Sequence, residues 1–161
     1  MLGAFLSVVT VVFLAAPLIA LAQASMTKEP YYAAYGVSPI SPNTVDKTVG
    51  VCTIRSGAVM RGSYEGPLGT GTMTAELIIH HSNTVTGKSL STFKNTLEIT
   101  SGPYGAFTLE GETHFKYEGG ALTSGKTVLQ GMSELGPVTI NAEKGFGPPK
   151  GIWENGWIIH P

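Results

Sequence analysis

Residues 105–117 read Gly-Ala-Phe-Thr-Leu-Glu-Gly-Glu-Thr-His-Phe-Lys-Tyr, a nearly unbroken β-strand pattern. The odd-numbered positions from Phe107 to Tyr117 are mostly apolar, and the even-numbered positions from Thr108 to Lys116 are polar. Because successive side chains of a strand point to opposite faces, this alternation predicts one buried face and one face in water. Thr113 is then a polar group on the buried face.

Similar segments, separated by glycine-containing turns, continue through the rest of the chain after Thr48, and no helical period interrupts them. The predicted strands are 48–55, 58–65, 70–81, 90–100, 105–117, 122–130, 137–142 and 151–160. Eight strands with short connections are typical of an antiparallel up-and-down barrel, with a β-sandwich as the alternative. The sequence therefore predicts an all-β domain over residues 48–161.

Two glycines, Gly111 and Gly125, lie inside predicted strands. Glycine weakens a strand interior unless the chain bends or bulges there. Such bends are required at the corners of a barrel, so these positions favour a closed sheet.

The composition limits the classes of partner. The chain has 161 residues, a formal net charge of −1 and 13% charged residues. One domain is expected at this length, and no basic stripe predicts binding to nucleic acid or to an anionic membrane surface. Cys52 is the single cysteine, so no internal disulfide is possible, and a small buried side chain is its expected role. The sequence leaves the oligomeric state open.

The first 24 residues are predicted to form an apolar signal or anchor helix. No charged residue occurs before Lys28, and Ala22-Gln23-Ala24 has the small-x-small form of a signal-peptidase site. The uncleaved alternative is a membrane anchor over residues 4–22, which is about the length needed to cross a bilayer. Both interpretations predict that the remainder is secreted or otherwise extracytoplasmic, and that a membrane is contacted only through this segment.

Residues 25–47 are predicted to be a proline-containing segment that lies across the domain. Pro30, Pro39 and Pro42 do not favour a central strand or a helix.

Three stretches resemble the β-barrels of the allene oxide cyclase and dirigent superfamily, especially its prokaryotic secreted branch. They are Gly-Pro-Leu-Gly-Thr-Gly-Thr-Met-Thr at 66–74, residues 101–115, and Gly-Met-Ser-Glu-Leu-Gly-Pro-Val at 131–138, which leads to Lys-Gly-Phe at 144–146. In those barrels Gly-Thr-Gly often stands before Glu-Leu, where this chain has Gly131-Met132-Ser133. The resemblance implies an eight-stranded barrel with a central apolar cavity, and it carries no catalytic residue over.

The candidate ligand-binding residues are polar groups on the apolar phase of a predicted strand, together with one tryptophan. They are Asn95, Asn155, Thr113, His81 and Trp157. A buried polar group needs a partner, and a few convergent polar groups in an apolar cavity are typical of a small-molecule site. The alternative interpretation is structural: the two asparagines satisfy each other or the backbone, His81 is in water at a strand end, and Trp157 fills the core.

Other chemistries find little support in the sequence. His80 and His81 are adjacent and point to opposite faces of a strand, so they do not bind one metal ion easily. Glu110 and Glu112 share a face at a spacing near that of glycosidase carboxylates, but this face is predicted to be in water. Asp46 is the only aspartate and no nucleophile elbow is present, which disfavours Ser-His-Asp catalysis. No catalytic residue, metal or cofactor is predicted.

Three functions remain open at this point. The first is an extracytoplasmic barrel that binds a small apolar ligand. The second is a cyclase-like or isomerase-like enzyme acting on a hydrophobic substrate, which rests on the family resemblance. The third is a structural protein of the cell envelope or surface.

Overall fold

The computed structural model describes residues 25–147 and 151–161, in which 11 strands form one sheet without any helix. The strands are β1 (Thr27–Tyr35), β2 (Ser38–Ser41), β3 (Val45–Val49), β4 (Cys52–Ser56), β5 (Val59–Gly66), β6 (Gly69–Asn83), β7 (Lys88–Ser101), β8 (Phe107–Glu118), β9 (Ala121–Ser133), β10 (Gly136–Gly147) and β11 (Gly151–His160). All pairings are antiparallel, which confirms the predicted all-β antiparallel class.

The hydrogen-bonded strands follow the order β1-β11-β10-β9-β8-β7-β6-β4-β3, and β5 pairs with β6 and β2. From β5 to β11, each strand pairs with the next one in the sequence, as in an up-and-down meander. The long strand β6 has two partners on the same side, because residues 69–76 pair with β5 and residues 80–83 pair with β4.

The prediction of a closed eight-stranded barrel is wrong, because the strand ladders do not close. β1 pairs with β11, β5 pairs with β2 and β6, and no ladder joins β1 to β5 within the described ranges. The sheet nevertheless curves far enough to bring β1 and β5 into contact without backbone pairing. The hydroxyls of Tyr31 on β1 and Tyr64 on β5 lie 3.4 Å apart, and Gly62 packs against the carbonyl of Gly36. Contacts other than the hydrogen bonds of a strand ladder therefore complete the enclosure.

Residues 25–47 contain β1, β2 and the start of β3, whereas the sequence predicts a segment that lies across the domain without a central strand. Pro30 lies in β1, whose only ladder partner among the described strands is β11, and Pro39 lies in β2, which pairs only with β5. Proline is tolerated on such edge strands because its missing N–H leaves no ladder bond unmade. The proline content therefore indicates edge strands here.

The phase predicted for β8 is confirmed. Phe107, Leu109, Thr113 and Phe115 are each at most 8% exposed, and the even-numbered residues from Thr108 to Lys116 are exposed. The inward side chains of the curved sheet form one continuous core. Its largest fully buried apolar side chains are Tyr31, Tyr35, Tyr64, Leu68, Met73, Leu97, Leu109, Leu129, Ile140 and Ile158.

Gly111 and Gly125 allow neighbouring strands to approach closely. A Cβ at Gly111 would overlap the Val128 carbonyl oxygen on β9, and a Cβ at Gly125 would overlap the Lys144 carbonyl oxygen on β10. Because backbone atoms of a paired strand cannot move aside easily, a side chain at either position would force the ladder apart. Both glycines therefore permit a close approach of paired strands, in a sheet whose ladders do not close within the described ranges.

The predicted N-terminal helix, residues 1–24, lies outside the described residues. Between residues 25 and 147 and between 151 and 161, no helix has the length and apolar character needed to cross a membrane.

Candidate functional site

Two predicted site residues, Asn95 and Thr113, meet inside the curved sheet. They are 1% and 0% exposed, and the Asn95 Nδ2 donates a hydrogen bond to the Thr113 hydroxyl at 2.7 Å. The Thr113 hydroxyl lies 2.8 Å from that of Thr127, which donates to the Glu112 carbonyl at 3.3 Å. Since each hydroxyl has one proton, Thr113 donates to Thr127 and must accept from Asn95. The Asn95 Oδ1 is therefore left over, buried and without a partner among the described residues.

A small cavity adjoins this amide. Its volume is about 20 Å³, and its lining is apolar apart from four side chains that carry a polar group, those of Tyr35, Asn95, Thr113 and Lys144. Three aromatic rings form part of the wall, those of Phe93, Phe115 and Phe146. The ring centroids of Phe93 and Phe115 lie 5.9 Å apart, and those of Phe115 and Phe146 lie 4.9 Å apart. Phe146 is 50% exposed, so its ring lies between the cavity and solvent.

The most polar element of the interior is a buried ion pair that the sequence does not predict. The Lys144 Nζ on β10 lies 2.9 Å from the Glu154 Oε1 on β11, and these side chains are 4% and 0% exposed. The Tyr35 hydroxyl donates to Glu154 Oε1 at 2.7 Å, and the Tyr31 hydroxyl donates to Oε2 at 3.2 Å. The Lys144 Nζ also lies 5.0 Å from the centroid of the Tyr35 ring. This arrangement satisfies both charges, as buried charges require.

The tyrosines around Glu154 resist ionisation. Burial raises the pKa of the Tyr35 phenol well above its usual value, and the neighbouring Glu154 carboxylate raises it further. The same two causes, in the same order, raise the pKa of Tyr31. Burial also raises the pKa of Tyr64, against hydrogen bonds with Tyr31 and the Leu68 backbone that lower it. Tyr31 and Tyr35 therefore stay protonated at neutral pH and donate hydrogen bonds to Glu154.

His81 is exposed at the outer face and does not reach the interior, so its predicted inward position is wrong. Leu77 pairs with Phe93, but Ile79 pairs with Thr92, which leaves Ile78 as an extra residue in β6. Such a β-bulge shifts the alternation by one position and reverses the faces beyond it. Met73, Ala75 and Leu77 consequently point inward as predicted, whereas Ile79 and His81 do not.

Asn155 and Trp157 also lie on the outer face, contrary to prediction. Asn155 is exposed and Trp157 is 45% exposed. The inward residues of β11 are instead Ile152, Glu154, Ile158 and His160. Asn95 and Asn155 are therefore on opposite sides of the sheet and cannot satisfy each other.

The sequence-based prediction misses Lys144 and Glu154 because it assigns Asn155 and Trp157 to the inward phase of β11. Ile152 and Ile158 share the phase of Glu154 and are the signal that marks this phase as buried. A carboxylate in a buried phase needs a cation, and Lys144 lies opposite Glu154 in the register of β10 and β11.

The glutamates considered in the sequence as candidate catalytic residues lie on the outer face of the sheet. Glu110 and Glu112 are exposed as predicted, and Glu112 lies 3.3 Å from the His114 Nε2. Over the two described ranges, no group of three or more His, Cys, Asp or Glu side chains could hold a metal ion. The interior polar groups thus remain the strongest candidates for a site.

No family model matches this chain, and searches of curated proteins and of solved structures also returned no match. The resemblance to the allene oxide cyclase and dirigent barrels therefore stays a prediction, and the function has to be argued from the geometry.

Proposed function

We propose that the interior of the curved sheet binds a small, mainly apolar molecule that carries one hydroxyl or N–H group. The observation behind this proposal is the unpartnered Asn95 Oδ1 beside an apolar cavity. A buried acceptor without a donor costs about 1–3 kcal/mol. A ligand that donates a hydrogen bond to this oxygen recovers that cost, while its apolar part contacts the aromatic wall.

Entry of such a ligand requires a side chain to move. A cavity of about 20 Å³ has room for about one water molecule. Phe146 is the side chain that can open it, because its ring is half exposed and packs against Phe115 on one side. The apolar end of the ligand would take the place of this ring against Phe115 and Phe93. Lys144 adds no net charge to the site, because Glu154 neutralises it.

The first test compares 1-decanol with decane as probes in isothermal titration calorimetry. Decanol is expected to bind more tightly, because its hydroxyl can donate to Asn95. An Asn95→Leu variant is expected to weaken decanol binding by about tenfold, which corresponds to about 1.4 kcal/mol for the lost hydrogen bond. Decane binding should change little.

Asn155→Leu is the matched control, because the same substitution is then placed on the outer face. It should leave decanol binding unchanged. Equal binding of decanol by the wild type and by Asn95→Leu would refute the role of Asn95. No binding of either probe would favour a structural protein of the envelope or surface instead.

A second candidate function is an enzyme that isomerises or cyclises an apolar substrate. It is supported by the position of Tyr35 and Lys144, which both line the cavity and both contact Glu154 Oε1. Hydrogen-bonded donors around one carboxylate can move a proton to or from a bound molecule. Native mass spectrometry of protein from its source identifies the bound molecule, and its conversion to an isomer during incubation would favour the enzyme over a binding protein.

We also propose that the β domain acts outside the cytoplasm. This proposal rests on the uncharged apolar segment before Lys28 and on the Ala22-Gln23-Ala24 sequence. Cleavage after Ala24 is expected to give a secreted protein whose first residue is Ser25. Intact-mass measurement of the protein from its source tests this, and a mass that includes residues 1–24 would instead indicate a membrane-anchored form.

A further inference from the structure

Exposed aromatic side chains occur on the outer face of β1 and β11. Tyr32 is 58% exposed and Trp157 is 45% exposed, while Trp153 is partly buried against Gly145. Large exposed aromatic rings are costly in water, and such surfaces commonly mark binding sites. The Lys28 Nζ lies 4.5 Å from the centroid of the Trp157 ring, which restrains this ring on the surface.

A groove of about 570 Å³ runs beside Trp157. Its walls are the side chains of six residues: Pro30, Lys126, Asn141, Glu143, Asn155 and Trp157. Ala142 and Gly156 complete the lining and lie directly opposite each other on β10 and β11. Neither has a large side chain, so the floor is mainly backbone. We refer to this feature as the outer groove, and its volume is within the range of about 300–1,000 Å³ usual for small-molecule sites.

The polar groups of the outer groove form two cross-strand pairs. Asn141 lies opposite Trp157, and Glu143 lies opposite Asn155. Each asparagine amide offers both donors and acceptors, while the carboxylate only accepts. Over residues 25–147 and 151–161, the Asn141, Glu143 and Asn155 side chains form no hydrogen bond with another side chain. They are therefore free to bind a ligand.

The two charged side chains that line the outer groove have opposite signs, and the Lys28 ammonium at its edge is held over the Trp157 ring. Lys126 lies opposite Glu143 on β9 and β10, and both line the groove. An anionic ligand would approach the Glu143 carboxylate, and a purely apolar ligand would remove both amides from water without replacing their hydrogen bonds. A neutral ligand with an apolar face and a rim of hydroxyl groups avoids both costs.

We propose that the outer groove binds a neutral oligosaccharide. A pyranose ring has an apolar C–H face that would lie on the side of the Trp157 indole away from Lys28, and its hydroxyls both donate and accept hydrogen bonds. Asn141 and Asn155 match such hydroxyls with amide donors and acceptors, and Glu143 and Lys126 add one acceptor and one donor. This activity is separate from the interior site, because the outer groove is on the opposite face of the sheet.

The test uses cellohexaose, maltohexaose, xylohexaose and chitohexaose as probes, in titration calorimetry with the full chain. At least one probe is expected to bind, and Trp157→Ala is expected to weaken it by at least about tenfold, as for an aromatic binding hot spot. Asn155→Ala is expected to weaken binding as well, by several-fold. This exposed substitution is a second measurement if the tryptophan variant folds poorly.

Trp153→Phe is the matched control, because Trp153 shares the strand and phase of Trp157 but does not line the groove. It should bind like the wild type, as should Asn95→Leu, which separates this proposal from the interior site. The proposal is overturned if none of the four neutral probes binds. It is also overturned if Trp157→Ala and Asn155→Ala bind like the wild type, or if hexagalacturonate binds in preference to all four.

Discussion

A Glu154→Leu variant is expected to lose about 3–5 kcal/mol of unfolding free energy, because it leaves the Lys144 ammonium buried without its counter-ion. The Lys144 Nζ and the Glu154 Oε1 are 2.9 Å apart, and both side chains are almost completely buried. The Tyr31 and Tyr35 hydroxyls also lose the carboxylate that accepts their hydrogen bonds. Urea denaturation followed by circular dichroism measures this loss.

The reciprocal variant Lys144→Met and the double variant complete a thermodynamic cycle. Lys144→Met/Glu154→Leu is expected to be more stable than Glu154→Leu alone, because it buries no charge. Its unfolding free energy should stay below that of the wild type, because the Tyr31 and Tyr35 hydroxyls have lost their acceptor. Each buried donor without an acceptor costs about 1–3 kcal/mol. If the two single losses simply add in the double variant, the charges do not stabilise each other and the ion-pair interpretation is wrong.

The sequence predicts β8 almost completely because alternation and burial agree along the whole strand. Its inward apolar residues and its outward charges need no knowledge of other strands. The sequence also predicts correctly that Asn95 and Thr113 point inward, because apolar neighbours on the same strands fix their phase. Local pattern is sufficient wherever one face of a strand is clearly apolar.

The errors arise where the pairing of distant residues decides the face. On β11, Glu154 is buried because Lys144 and two tyrosines on other strands satisfy it. On β6, the extra residue Ile78 is visible only in the register with β7. On β11 both phases carry large apolar residues, so alternation does not decide between them, and on β6 the bulge reverses the phase. Asn155, Trp157 and His81 are therefore assigned to the wrong side.

Edge strands present a related difficulty. The prolines of 25–47 exclude a central strand but not an edge strand, and only the sheet order shows which applies. The same order shows that the β1 and β5 ladders do not join. A count of strands predicts a barrel, while closure depends on whether the two end strands align for hydrogen bonding.

Stability is expected to fall steeply with rising pH above about 10, the usual pKa of tyrosine. Burial and the Glu154 carboxylate raise the pKa values of Tyr31 and Tyr35 in the folded protein. Below pH 10 these phenols are protonated in both states, so their contribution is fully present. Above it the unfolded chain releases their protons and the folded protein retains them, which favours unfolding. Each such tyrosine removes about 1.4 kcal/mol per pH unit, so the two together remove about 2.7 kcal/mol per unit.

A series of phenylalanine variants isolates this contribution from other alkaline effects. Urea denaturation at several values between pH 9 and pH 11.5 gives the slope of unfolding free energy against pH. Tyr35→Phe is expected to reduce the slope above pH 10 by about 1.4 kcal/mol per unit, and Tyr31→Phe/Tyr35→Phe by about twice as much. Both variants also lose a hydrogen bond to Glu154 at neutral pH, which lowers the whole curve without changing its slope. A slope that is the same in the wild type and the double variant would show that these phenols ionise equally easily in both states. Glu154 and the two tyrosines would then not form a closed cluster that excludes water.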